Sequence, residues 1–199
     1  LEERFVVVEE WFKRLLRFPH DPERRAMLYL LANDLRQLEV RSLQLKDIDL
    51  KNRVMLVRGK GSSRSYDPKP KYRQVPMLPW TGVAIDKYLQ SRRNAPDVPW
   101  LFFNPITGNQ RRHAWTSWSI DRCLSDALPG PEFEEARKKI TPHTLRKFFA
   151  TAALKRTTNV HVLMELMGHS RGESLKPYIG LENQDLQEEV ARMAQDRWF

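Results

Sequence analysis

Apolar side chains fall at helical spacing along most of this chain and change to short β-type runs in one region. In "EEWFKRLLRF" (residues 9–18), Trp11, Phe12, Leu15 and Leu16 share one side of a helix. "DPERRAMLYLLA" (21–32) predicts a second helix, capped by Asp21 and opened by Pro22, whose fixed φ suits the first helical position. Both are expected in the core. "RVMLVRG" (53–59) and "YRQVPML" (72–78) bracket a stretch containing Gly, Ser and Pro, which predicts a hairpin with a long mobile loop. Helical periodicity resumes at Thr81 in "TGVAIDKYLQSRR" and continues in "AWTSWSIDRCLSDAL", "TPHTLRKFFATAALKR" and "NVHVLMELMG". In the tail from Asn183 to Arg197, Leu186, Val190, Met193 and Ala194 form an amphipathic stripe that must be buried somewhere. The expected fold class is α+β, mainly α-helical, with a small antiparallel sheet. No internal repeat or low-complexity tract interrupts it.

Composition narrows the possibilities. A chain of 199 residues with 41% hydrophobic side chains is long enough for one domain that buries roughly 70% of its unfolded surface. Its longest apolar run, within "AMLYLLA", is far shorter than the roughly 20 residues that cross a bilayer, and no secretory leader opens the chain. A soluble, unsecreted, cytoplasmic protein is expected, with no membrane partner. The single Cys123 excludes an internal disulfide and cannot by itself make a structural zinc site. Because the first residue is Leu1 rather than Met, a fragment of a longer protein is expected. The 34 Lys and Arg against 25 Asp and Glu give a net charge of +9 and suit a polyanionic partner. These residues are spread along the chain, not gathered on one amphipathic helix beside a lipidation signal, which favours nucleic acid over a membrane surface.

Several polar residues stand where chemistry is expected. In "TPHTLRKFF", Thr141 is a good cap, so His143 and Arg146 project from one face of the first helical turns, where free N–H groups attract anions. In "LANDLRQLEVRSL", Arg36 follows an Asn-Asp pair able to take the left-handed turn usually given to glycine, and Glu39 is placed to orient the guanidinium. Lys60 lies between two glycines in "VRGKG", and His169 follows Gly168, the expected stop of its helix. Tyr178 sits nine residues after His169 in "GHSRGESLKPYIG", a stretch too polar for a core. Taken singly, each residue also fits an ordinary structural role: a surface pair, a turn lysine, a helix salt bridge, a capping histidine. Their order along the chain favours a shared one.

In that order, "NDLRQLE", "VRGKG", "HTLRKFFAT" and "LMGHSRGESLKPYIG" resemble the arginine box, hairpin lysine, His-x-x-Arg box and terminal Gly-His and tyrosine of the tyrosine recombinases, the phage-integrase-like site-specific recombinases. The resemblance runs from about residue 5 to 180. It implies a mainly helical catalytic domain over residues 1–199, with a C-terminal tail helix at about 183–199. The separate core-binding domain that completes a clamp around DNA is expected to be missing from this fragment. The implied activity is cleavage and rejoining of double-stranded DNA through a covalent 3′-phosphotyrosine, with no metal, ATP or other cofactor. Two features depart from the family pattern. Asp34 stands where a small residue such as glycine is common, and the segment after Lys60 is several residues longer than the usual hairpin.

The residue types suit that chemistry. Arg36 and Arg146 can fork onto the phosphoryl oxygens and His169 can add a hydrogen bond. His143 is placed to take the proton of the Tyr178 hydroxyl, and Lys60 to protonate the leaving 5′ oxygen. Arg64, Lys69, Lys71 and Arg73 are expected on a loop, residues 62–73, that orders on the DNA backbone. The resemblance also implies tetramers on paired sites, a monomer when free, and a tail that docks on a neighbouring protomer. The alternatives are a type IB topoisomerase, a non-catalytic DNA-binding regulator and a helical interaction module.

Overall fold

The computed structural model describes residues 2–58, 72–92 and 95–146. Helix α1 (Glu2–Arg17) and helix α2 (Pro22–Ala32) are joined by a short turn. The Asp21 carboxylate accepts the Arg24 N–H at 3.0 Å and Pro22 opens α2, as their order in the sequence predicts. From Ala26 to Ala32 every residue of α2 is buried, so it is the central helix of the domain. It packs against α1, α3 (Gln37–Ser42), α4 (Pro79–Ser91) and α5 (His113–Ala127). Phe12, Leu15 and Leu16 of α1, Ile85 and Tyr88 of α4, and Trp115, Ile120 and Leu124 of α5 complete the core.

Between α3 and α4 lies a three-stranded antiparallel sheet in the order β1 (Ile48–Asp49), β2 (Val54–Arg58), β3 (Tyr72–Pro76). Strand β2 pairs with β3 from Val54 opposite Pro76 to Arg58 opposite Tyr72. The alternation of β2 is plain: Met55 and Val57 are buried while Leu56 and Arg58 face out. The hairpin expected from the sequence is therefore present, although its second strand begins at Tyr72, so Tyr72 and Arg73 belong to the sheet and not to the loop. Beyond α5, a short helix α6 (Glu134–Lys139) leads to Thr141, and a further helix opens at Pro142. Among the described residues no helix is long and apolar enough to cross a membrane.

Candidate active site

The site begins where α2 ends. The N–H of Asp34 reaches the Leu31 carbonyl and that of Leu35 the Leu30 carbonyl, both at 3.2 Å, closing the helix in the paired bonds of a Schellman turn. Such a turn needs a left-handed residue, and Asp34 supplies it with φ +69°. Glycine takes that conformation freely; other side chains lose about 1 kcal/mol, and Asp is among the few that visit it routinely. Asn33, just before it, fixes the turn to the sheet: its amide donates to the Pro76 carbonyl at 3.0 Å and accepts the Leu78 N–H at 2.8 Å. Asn33 and Asp34 are both buried, at 3% and 1% exposure.

The turn delivers Arg36 to the start of α3. One Glu39 oxygen accepts the Arg36 backbone N–H at 2.8 Å, and the other accepts its guanidinium Nη1 at 2.9 Å. Glu39 is almost fully buried, and these bonds replace the water its oxygens lose there. From β3, Arg73 adds a second guanidinium, its Nη2 donating to Glu39 at 3.0 Å. This corrects the placement of Arg73 on a DNA-facing loop. In the period of a strand Arg73 shares the face of buried Val75, and its side chain is only 19% exposed.

Opposite this arm, Thr141 and Thr144 cap the helix opening at Pro142. The Thr144 N–H donates to the Thr141 hydroxyl at 3.2 Å, and the Thr141 N–H donates to the Thr144 hydroxyl at 2.7 Å. His143 on the first turn is exposed, whereas Arg146 one turn later is buried. The Nε of Arg146 lies 2.9 Å from Oδ1 of Asp34. The approach lies off the N–H direction, so it is a charge contact and not an aligned hydrogen bond; among the described residues neither Asp34 oxygen accepts one. Burial pushes the Asp34 carboxyl up to about 7, against the opposing pull of Arg146 and Arg73. Burial also lowers the Arg146 guanidinium, and Asp34 draws it back up.

The two arms enclose a pocket of about 250 Å³ lined by Leu35, Arg36, Gln37, Leu38, Pro142, His143 and Arg146. Three of the sequence-predicted residues, Arg36, His143 and Arg146, thus meet at one place, with Glu39 behind Arg36. Two guanidinium groups and an imidazole around a concave space suit an anion with several oxygens, such as a phosphodiester. Among the described residues no group of three or more His, Cys, Asp or Glu has the arrangement to hold a metal ion. Lys60, Arg64, Lys69, Lys71, His169 and Tyr178, and the tail at 183–199, lie outside the described residues. Sequence reasoning placed the left-handed turn but not the reach of Asp34 to Arg146, nor Arg73 on Glu39. The inward phase of Arg73 with Val75 was the available signal for the second.

Comparison with known proteins agrees with this architecture. The phage integrase family profile matches residues 6–185, and the chain belongs to that family. It is 31% identical over 191 residues to the tyrosine recombinase XerA of Pyrococcus furiosus, covering 94% of this chain and 60% of that protein. Against the tyrosine recombinase XerD of Lacticaseibacillus casei it is 33% identical over 167 residues, covering 81% and 52%. Its fold is that of the catalytic domain of these recombinases. The crystal structure of a XerA recombinase superposes with a TM-score of 0.67 at 25% identity, over 94% of this chain and 63% of that one. The XerH site-specific recombinase bound to palindromic difH substrate in a post-cleavage complex shares the fold, with a TM-score of 0.62 at 22% identity over 92% and 50%. The chain spans about half to three fifths of the length of these curated relatives.

Proposed function

We propose that this chain is the catalytic part of a site-specific DNA recombinase that cuts and rejoins DNA strands through a covalent 3′-phosphotyrosine. The observation that carries the proposal is the meeting of Arg36, His143 and Arg146 around one pocket, backed by Glu39. Family membership and the DNA complex of the related XerH recombinase support it. Arg36 and Arg146 fork onto the non-bridging oxygens of the scissile phosphate, where charge builds as the phosphorus is attacked. The Tyr178 oxygen forms the new bond to phosphorus while the bond to the 5′ oxygen breaks. His143 accepts the tyrosine proton, Lys60 returns a proton to the departing oxygen, and His169 adds a hydrogen bond to the phosphoryl group. Reversal with a different 5′ hydroxyl rejoins the strand, since the phosphotyrosyl bond keeps the energy of the diester.

Around this chemistry Arg64, Lys69 and Lys71 neutralise the DNA backbone, in keeping with the net charge of +9. The protein works as a tetramer on paired DNA sites in the nucleoid and is monomeric when free. Its 183–199 segment docks on the adjoining protomer.

The test is incubation with a duplex nicked so that the cleaved strand cannot be rejoined, followed by mapping of the protein–DNA adduct. The adduct is expected on Tyr178 at the 3′ phosphate. Tyr178→Phe is expected to bind the duplex as tightly as the parent yet form no adduct, because only the hydroxyl is lost. An adduct at normal yield from that variant sinks the assignment.

A further inference from the structure

Arg146 is held by a carboxylate placed at some conformational cost. The Schellman turn that closes α2 calls for a left-handed residue, which glycine adopts without penalty, and the chain places an aspartate there instead. No hydrogen bond from the turn explains the substitution, since among the described residues neither Asp34 oxygen accepts one. What the carboxylate does reach is Nε of Arg146, at 2.9 Å, in a setting where Asp34 is 1% exposed and the arginine side chain 9%.

We propose that Asp34 is a positioning residue that holds Arg146 at the pocket wall and competes with an incoming phosphate for its guanidinium, so that the site gains anion affinity when Asp34 is protonated. This rests on the phosphate-binding role given to Arg146 above. The competition follows from charge at close range. The Asp34 carboxylate already lies 2.9 Å from Nε of Arg146 and offsets part of its positive charge, so an anion drawn to the guanidinium meets a carboxylate beside it. An ionised Asp34 also places a negative charge next to the phosphate site, which is costly where water is scarce.

Among the described residues, the charged groups around Asp34 are Arg146 from the helix opening at Pro142, Arg73 from β3, and Arg36 and Glu39 from the start of α3. Of these, three guanidinium charges face two carboxylates with Asp34 ionised, and Glu39 alone with Asp34 neutral. Burial of Asp34 brings this change close to neutral pH. The sign follows directly: phosphate affinity is high below about pH 7 and falls as pH rises through it.

Two substitutions keep the turn and remove the charge. Asp34→Asn is nearly isosteric and tolerates positive φ, and Asp34→Gly suits it best. Both are compared with the parent in a His143→Gln background, so that no imidazole in the pocket contributes to the profile. The first readout is the Nε–H resonance of Arg146 in the 15N-labelled chain, identified by its loss in Arg146→Lys. In the parent it is expected to shift with pH around 7, and in Asp34→Asn to stay constant. The second readout is affinity for sulfate, whose charge is constant over this range, expected to fall roughly tenfold between pH 6 and pH 8 in the parent and less than about twofold in either variant. A resonance indifferent to Asp34→Asn, or a sulfate profile of the same slope in parent and variants, overturns the proposal. Neither readout needs DNA or Tyr178. Absence of a Tyr178 adduct from the unsubstituted chain would therefore refute the recombinase assignment while leaving this result to be judged separately.

Discussion

The two arginines that line the pocket carry the same guanidinium in opposite settings. Arg36 stands at a helix start with 43% of its side chain exposed, and its partner Glu39 is the buried member of the pair. Arg146 is itself buried, 9% exposed, and its partner Asp34 is deeper still. Arg36 is thus a mobile type of side chain steadied from behind by a carboxylate that also holds Arg73. Arg146 is fixed by packing, and its carboxylate lies where the ligand would compete for it. One site therefore contains an arginine whose loss removes a functional group and another whose loss also leaves a buried carboxyl without its partner.

The sharpest way to break this contrast is to remove each arginine in turn. Arg36→Ala and Arg146→Ala are each expected to lower the rate of strand cleavage about a hundredfold or more, the usual cost of one preorganised donor to a transition-state oxyanion. Their stabilities should separate. Arg36→Ala leaves Glu39 bonded to Arg73 and should change folding stability little. Arg146→Ala strands Asp34 and should cost about 3 kcal/mol at pH 8, as breaking buried ion pairs does elsewhere. The pH dependence has a definite sign. Asp34 has a folded value raised to about 7, so the folded state holds its proton longer than the unfolded chain and stability declines as pH rises toward 7. Without Arg146 the carboxyl is raised further and the decline continues above pH 7. Urea unfolding at pH 6 and pH 8 checks this, and an equal cost at both values would mean that Asp34 and Arg146 are not coupled.

The contrast also shows what the sequence made legible. Short-range rules found α2 with its cap, the two strands β2 and β3, the left-handed step before Arg36 and the Glu39 support for Arg36, because each is written in residues within a few positions of one another. Helix α3 was hidden because six residues carry too little periodicity, and α6 because "EEARKK" buries only Ala136. The contacts that join the two halves of the site were not legible. Asp34 and Arg146 are far apart in the chain, as are Glu39 and Arg73, and local pattern contains no term for such pairings. The resemblance named the arginines but could not supply Asp34, the position where this chain departs from the family pattern.

A milder break falls on the exposed arm. Glu39→Ala removes the acceptor for the Arg36 N–H, for its guanidinium and for Arg73 together, so about 2 kcal/mol of stability should be lost with the charged bonds. Cleavage should fall about tenfold while duplex binding at low salt is kept, since Arg36 remains present but is no longer oriented. Glu39→Gln keeps an acceptor for the Arg36 N–H and should recover part of both losses. If Glu39→Ala and Glu39→Gln are equally impaired, the charge of Glu39 matters and its hydrogen-bond geometry does not.

The smallest expected effect lies at the base of the buried arm. Thr141 and Thr144 exchange side-chain and backbone hydrogen bonds at the start of the helix that carries His143 and Arg146. Thr141→Ala removes the acceptor for the Thr144 N–H but leaves the Thr141 N–H bonded to the Thr144 hydroxyl, so about 1 kcal/mol should be lost, the usual cost of an N-cap. Thr144→Ala breaks the opposite bond and also frees the Lys139 carbonyl, which the Thr144 hydroxyl reaches at 2.9 Å. Because the two residues share one network, the double variant should cost less than the two single losses added together. Arg146 lies a turn farther on and is held by Asp34, so fraying of the first turn should disturb exposed His143 more than buried Arg146. The readout is the 15N spectrum of Thr141→Ala: His143 ring signals should shift while the Arg146 Nε–H stays in place. Movement of the Arg146 resonance by as much as those of His143 would show that the helix start, and not Asp34, sets the buried guanidinium.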